Sequence, residues 1–154
     1  MNWNLKWNLI VEVICALFIL LFTYTAITKF GDFSNFRYVL TQSPIIGQHA
    51  QWISWLLPVL ELAIAASLFI RTTRRYGLMA SFVIMIAFTF YIGYMLSFAS
   101  KLPCSCGGVL QSLSWTQHLI FNIVFTVLAF AALRINRTTN SNAGKKNFGA
   151  GAIA

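Results

Sequence analysis

Cys104 and Cys106 stand one residue apart in Leu102-Pro103-Cys104-Ser105-Cys106-Gly107-Gly108-Val109. Proline before the pair fixes one backbone angle, and the two glycines after it permit positive φ, so the segment can turn tightly enough to bring the sulfurs together. A disulfide between them would close a very small, strained ring, and strained disulfides are the labile, oxidising ones. Three chemistries fit the pair. It can be a redox couple that exchanges disulfides with a partner. It can be a staple, or inert thiols, in a loop. It can also take a soft metal such as copper(I), which thiolates suit. A C-x-C alone is a weaker redox signal than C-x-x-C beside a redox fold.

His118 follows the thiol segment closely. A histidine there can deprotonate a thiol or hydrogen-bond a quinone carbonyl, or it can be a plain interfacial histidine. Gln117 and Asn122 can share its network or simply hold helices together. Glu61 lies at the centre of a long apolar run. An ionised carboxylate is expensive there, so it should be neutral or paired, either in an internal polar site or in a bond between helices. Glu12 is nearer a surface and can reach toward it. Cys15 lies 14 residues before Lys29, about 21 Å along a helix; it is too far from the other thiols to join them and reads as a small core residue. Tyr91, Tyr94 and most of the phenylalanines read as packing or lipid-facing groups.

The elements that must position these residues are membrane helices. The chain has 154 residues, 58% of them hydrophobic and only 9% charged, where a soluble domain usually carries about 25% charge. Long apolar runs place four spans at residues 9–28, 52–70, 76–100 and 115–133. Residues 1–137 then form one membrane domain, and 138–154 a polar tail expected to be disordered. The first run is too long for a signal-peptide core and is followed by no A-x-A pattern, so it reads as a retained span. The net charge of +8 does not point to nucleic acid, because the basic residues cluster at the ends of apolar runs rather than in a stripe on a polar surface.

Between the first two spans, Asp32 can cap a short helix ending near Leu40, with Phe33, Phe36 and Leu40 on one face and Asn35 and Arg37 turned away. Such an amphipathic helix suits the membrane interface. Thr41-Gln42-Ser43-Pro44 stops it, and Gly47 lets the chain turn back. Trp3 and Trp7 suit the headgroup level. Pro58 lies inside the second span and can kink it. Gly93 and Ala80 can allow close helix approach in the third. Ser114-Trp115-Thr116-Gln117 fits a capping box that opens the fourth. The expected fold is an all-α four-helix transmembrane bundle with a short interfacial helix between the first and second spans.

One side of such a bundle holds Lys6, Arg71, Arg74, Arg75, Arg134, Arg137, Lys145 and Lys146, and the other only Lys29, Arg37 and Lys101. The positive-inside rule puts both termini in the cytoplasm. Cys104 and Cys106 then face the outside or periplasm, where disulfides form and persist.

The pattern Tyr24-Thr25-Ala26-Ile27-Thr28-Lys29-Phe30, then Phe36, Pro58 and Glu61, resembles the DoxX-like superfamily of small four-span proteins. Pro103-Cys104-Ser105-Cys106-Gly107-Gly108-Val109-Leu110, followed by Trp115-Thr116-Gln117-His118-Leu119-Ile120-Phe121-Asn122, resembles its methylamine utilisation MauE branch. The likeness covers residues 9–133. It implies a bacterial cytoplasmic-membrane protein that helps mature a disulfide-rich periplasmic client, in the family the small subunit of methylamine dehydrogenase, beside a thioredoxin-like partner. The redox role falls on Cys104 and Cys106. The chain departs from DsbB-type disulfide generators, which relay through two outer thiol pairs where this one has a single pair.

The leading expectation is thiol–disulfide exchange by Cys104 and Cys106. His118 would tune the thiols, and Glu61 and Gln117 would line an internal polar or quinone site, with no resident metal. Two other readings stand beside it: a non-enzymatic membrane subunit or scaffold with a stiffened loop, and a small metal- or solute-handling membrane protein.

Overall fold

The computed structural model describes residues 3–43, 46–98 and 114–150, with 3–6, 98, 115 and 137–150 described by backbone alone. Cys104, Cys106 and Pro44 lie outside the described residues. Every regular element described is helical: α1 (Trp3–Gly31), α2 (Phe33–Thr41), a single 3-10 turn (Gly47–His49), α3 (Ala50–Phe69), α4 (Arg74–Phe98) and α5 (Trp115–Ala150). Four helices are long and apolar enough to cross a membrane, over Trp7–Gly31, Gly47–Phe69, Arg74–Ser97 and Thr116–Asn136. The all-α bundle expected from the apolar runs is therefore present, with a short helix between its first two spans.

The spans are apolar on all sides, so they carry no single hydrophobic stripe, and sidedness comes from shape and from polar groups. Leu20, Ile27, Trp52, Val83, Phe90 and Val127 point outward and are exposed. A belt of large apolar side chains on every outward face is tolerable only in lipid. Inside, α1 buries Val11, Cys15, Phe18, Phe22, Ala26 and Lys29, and α3 buries Ser54, Pro58, Glu61, Ala65 and Leu68. Both sets recur at three- and four-residue spacing, which places each on one helix face. The expected core role of Cys15 holds: it is buried among Phe18, Phe22 and Ile64.

Packing gives the topology. α1 packs against α3 and α5, and α4 packs against the same two, so the spans close a ring in the order α1, α3, α4, α5. α2 lies against α3 at one end of the ring. It seats Phe36 and Leu40 against Ala50, Ile53 and Leu57, while Arg37 and Tyr38 face outward. The apolar face of α2 is thus spent on the bundle. Asp32 occupies the N-cap position of α2, but its side chain makes no capping hydrogen bond; its amide donates to the Thr28 carbonyl at 3.2 Å and its carbonyl accepts from the Phe36 amide at 3.0 Å. α2 ends at Thr41, as expected from the polar residues there.

Hydroxyls inside the spans bond back to their own helices, so none forces a gap in the lipid-facing ladder. Ser81 donates to the Gly77 carbonyl at 2.8 Å, Thr89 to Met85 at 2.7 Å and Thr126 to Asn122 at 2.8 Å. The expected capping box is formed. Ser114 Oγ accepts from the Gln117 amide at 3.3 Å, and Gln117 Oε1 accepts from the Ser114 amide at 2.9 Å. α5 continues as helix to Ala150, through residues expected to form an irregular tail.

Close helix approach falls at a different glycine from the one expected. Nothing lies within 4 Å of where a Cβ on Gly93 would stand. At Gly77 such a Cβ would meet the Leu68 backbone nitrogen and side chain at 3.0 Å, because the tight basic turn folds the start of α4 onto the end of α3. Gly77→Val should therefore lower stability by about 2 kcal/mol through overpacking, whereas Gly93→Ala should be neutral or slightly stabilising. The check is the unfolding midpoint of the purified variants in mixed micelles.

Candidate functional site

The site starts from two side chains that lipid disfavours. Lys29 is one turn from the end of α1, and Glu61 is in the middle of α3. Each continues the buried stripe of its helix, so packing the two stripes together brings the groups face to face. Lys29 Nζ donates to Glu61 Oε1. The pair is almost closed to solvent, with side-chain exposures of 9% and 1%. The Lys29 ammonium also lies 5.7 Å from the Phe36 ring centroid and 5.8 Å from that of Phe88, both within cation–π range. The expectation that Glu61 must be neutral or paired is met by pairing. Its second oxygen, Oε2, is buried and has no hydrogen-bond partner among the described residues.

The pair borders a cavity of about 280 Å³ inside the ring, covered by α2. Leu21, Phe22, Leu57, Met85, Phe88 and Phe121 supply much of its wall, and Phe36, Val39 and Leu40 reach it from α2. The polar groups are few: Thr25, Lys29 and Glu61 from α1 and α3, and Tyr91, His118 and Asn122 from α4 and α5. Because α1 neighbours α3 and α4 neighbours α5, the two polar sets face each other across the space. An apolar cavity with a few convergent polar groups is the usual form of a small-molecule site.

The polar groups on the second side are held by their own helices and by the α2 connection. The Tyr91 hydroxyl donates to Ser43 Oγ at 3.1 Å, which ties α4 to the segment after α2. Asn122 Nδ2 donates to the His118 carbonyl at 2.9 Å, so it braces the first turns of α5. His118 is about one turn into α5, held at the cavity by the capped helix start.

The structure thus brings together Glu61 and His118, which the sequence nominated separately. Gln117, nominated with Glu61, is exposed; its amide oxygen is engaged in the capping box, and it is not among the residues lining the cavity. Two participants were missed. Lys29 stands at the far end of the first apolar run, and its register with Phe18, Phe22 and Ala26 is the signal that it turns inward. Tyr91 reads as packing in the sequence, where nothing distinguishes it from Tyr94. Cys104 and Cys106 belong to the segment between Phe98 and Ser114, outside the described residues. Among the described residues no group of His, Cys, Asp and Glu could hold a metal ion.

At the opposite end, Glu12 reaches toward the surface as expected and accepts from Arg71 at 3.2 Å, with Arg74 at 3.8 Å. These partners are more exposed, and such pairs contribute about 1 kcal/mol or less.

A family described as Methylamine utilisation protein MauE matches residues 7–135. The chain belongs to the MauE family. The match covers the four membrane spans except the last residue of the fourth, and every residue of the cavity. No curated protein and no solved structure matches the chain. The family assignment therefore supplies the name methylamine utilisation, and the chemistry has to be argued from the residues.

Removing one member of a buried ion pair leaves the other uncompensated, at a cost of about 3 kcal/mol or more. Lys29→Met should show this loss in the unfolding midpoint. Adding Glu61→Leu should recover much of it, so that the double variant is more stable than Lys29→Met alone.

Proposed function

We propose that this MauE-family protein takes part in thiol–disulfide exchange at the outer face of the bacterial cytoplasmic membrane. Cys104 and Cys106 are its reactive groups. One attacks, or is attacked by, a periplasmic thioredoxin-like protein or a disulfide-containing client, and the other resolves the mixed disulfide. The reading also carries placement in the DoxX-like superfamily, both termini in the cytoplasm, and a role in maturing a periplasmic client such as the methylamine dehydrogenase small subunit.

The observation that carries it is the family match across residues 7–135, a range that contains the two thiols. Two features support it. The chain enters and leaves the thiol segment at Phe98 and Ser114, the ends of α4 and α5 nearest Tyr91 and His118. His118, a group suited to moving a proton near neutral pH, therefore sits within the first turns after that segment. The surplus of arginine and lysine at the other end of the bundle fits an outward-facing thiol segment.

The test is to replace each cysteine with serine in cells and follow the protein and its partners on non-reducing gels. One single variant should accumulate a reducible mixed disulfide with a periplasmic protein, and both should abolish partner oxidation at normal protein level. Loss of the protein itself would mean a staple. A copper-dependent phenotype with no trapped partner would mean metal handling.

A further inference from the structure

We propose that the cavity between Lys29–Glu61 and Tyr91–His118 binds the head group of a membrane quinone and its quinol. The proposal deepens the thiol–disulfide reading, on which it rests for the ligand's role, by naming the electron acceptor.

The cavity calls for a ligand. Glu61 is 1% exposed, and its Oε2 is a buried acceptor with no partner among the described residues. Native structures rarely leave such an atom unsatisfied. Oε2 belongs to a residue that lines an open volume of about 280 Å³. A ligand in that volume with a donor at this end can satisfy Oε2.

The surroundings narrow the class. Most of the wall is apolar, with Phe22, Phe36, Phe88 and Phe121 around the space, which suits a flat ring. Polar groups stand on two facing sides, so the ligand needs a polar atom at each end and an apolar body between. A fatty acid would put a second carboxylate against Glu61. A phospholipid head group would bring a phosphate's negative charge beside the Glu61 carboxylate. A simple alcohol would satisfy one side only. A para-quinol supplies a donor for Oε2 and a polar atom at each end, its quinone keeps the two polar ends as acceptors, and both are uncharged, so neither carries a charge into the membrane.

The polar set also suits both redox forms. In the quinol, one hydroxyl donates to Glu61 Oε2. In the quinone, the oxygen at that end accepts from the Lys29 ammonium, which has three donors and spends one on Glu61 Oε1. The oxygen at the far end meets Tyr91 and His118. In the reaction, two thiols lose two electrons and two protons as one S–S bond forms. The quinone takes up both electrons and both protons and leaves as quinol.

The decisive variant is Glu61→Gln. Its amide oxygen can still accept from Lys29, while its amide nitrogen replaces the orphan acceptor with a donor. The probe is a short-chain ubiquinone analogue, oxidised or reduced under argon, titrated into the purified protein in lipid nanodiscs by calorimetry. Wild type should bind both forms. Glu61→Gln should bind the quinol at least tenfold more weakly and the quinone about as well as wild type. His118→Leu should weaken both. If wild type binds neither form, or if Glu61→Gln leaves quinol affinity unchanged, the proposal is wrong. It is also wrong if extracts of the purified protein show only phospholipid displaced by the probe, with no effect of Glu61. A Cys104→Ser, Cys106→Ser double variant separates the two readings. It should bind the probe as wild type does. Binding by wild type without any mixed disulfide from the single-cysteine variants in cells would remove the exchange reading, whereas a mixed disulfide from them without binding by wild type would remove this one.

Discussion

The structure depends on one ion pair formed where water cannot reach it. An isolated lysine or glutamate in lipid is costly, and Lys29 and Glu61 compensate each other directly. That need fixes how α1 meets α3. The helix faces that carry the pair also carry Phe18, Phe22, Ala65 and Leu68, so the electrostatic register and the packing register coincide. Apolar side chains alone would not choose between rotations of helices that are apolar all round. The pair supplies that choice.

The pair also explains why a cavity lies at this end of the bundle. Glu61 on α3 meets Lys29 near the end of α1, and Phe36, Val39 and Leu40 of α2 border the same space. Filling the space with further aliphatic side chains would stabilise the fold more than leaving a carboxylate oxygen unpartnered, since buried ionic groups generally add little net stability over well-packed apolar ones. Retaining a polar-edged volume is thus better understood through what it can hold than through what it adds to stability. The opposite end offers a contrast. There Glu12 meets an exposed Arg71 and a half-buried Arg74 near the surface.

Much of this was legible in the residues. Four apolar runs, the short helix after Asp32 and the capping box at Ser114 follow from length, periodicity and local hydrogen-bonding chemistry. Glu61 was legible as a group needing a partner, but the partner was not. Lys29 borders the polar connection, and a lysine at a span's end reads as a headgroup anchor unless its register with the buried stripe is followed to the last turn. Tyr91 became visible only through Ser43, a contact across 48 positions that local pattern cannot supply. Gly77 and Gly93 are equivalent in sequence terms. Only the fold of the Arg71 to Arg75 turn distinguishes the glycine that lets helices meet from the one that does not.

The central claim can be tested by measuring the Lys29–Glu61 contact in a membrane. Solid-state NMR of the protein in lipid bilayers, labelled with ¹⁵N at lysine Nζ and ¹³C at glutamate carboxyls, reads the dipolar coupling between the two groups. The account predicts a hydrogen-bond-range coupling that disappears in Glu61→Leu. A Lys29 signal without that coupling, and with the exchange behaviour of a solvated amine, would contradict it.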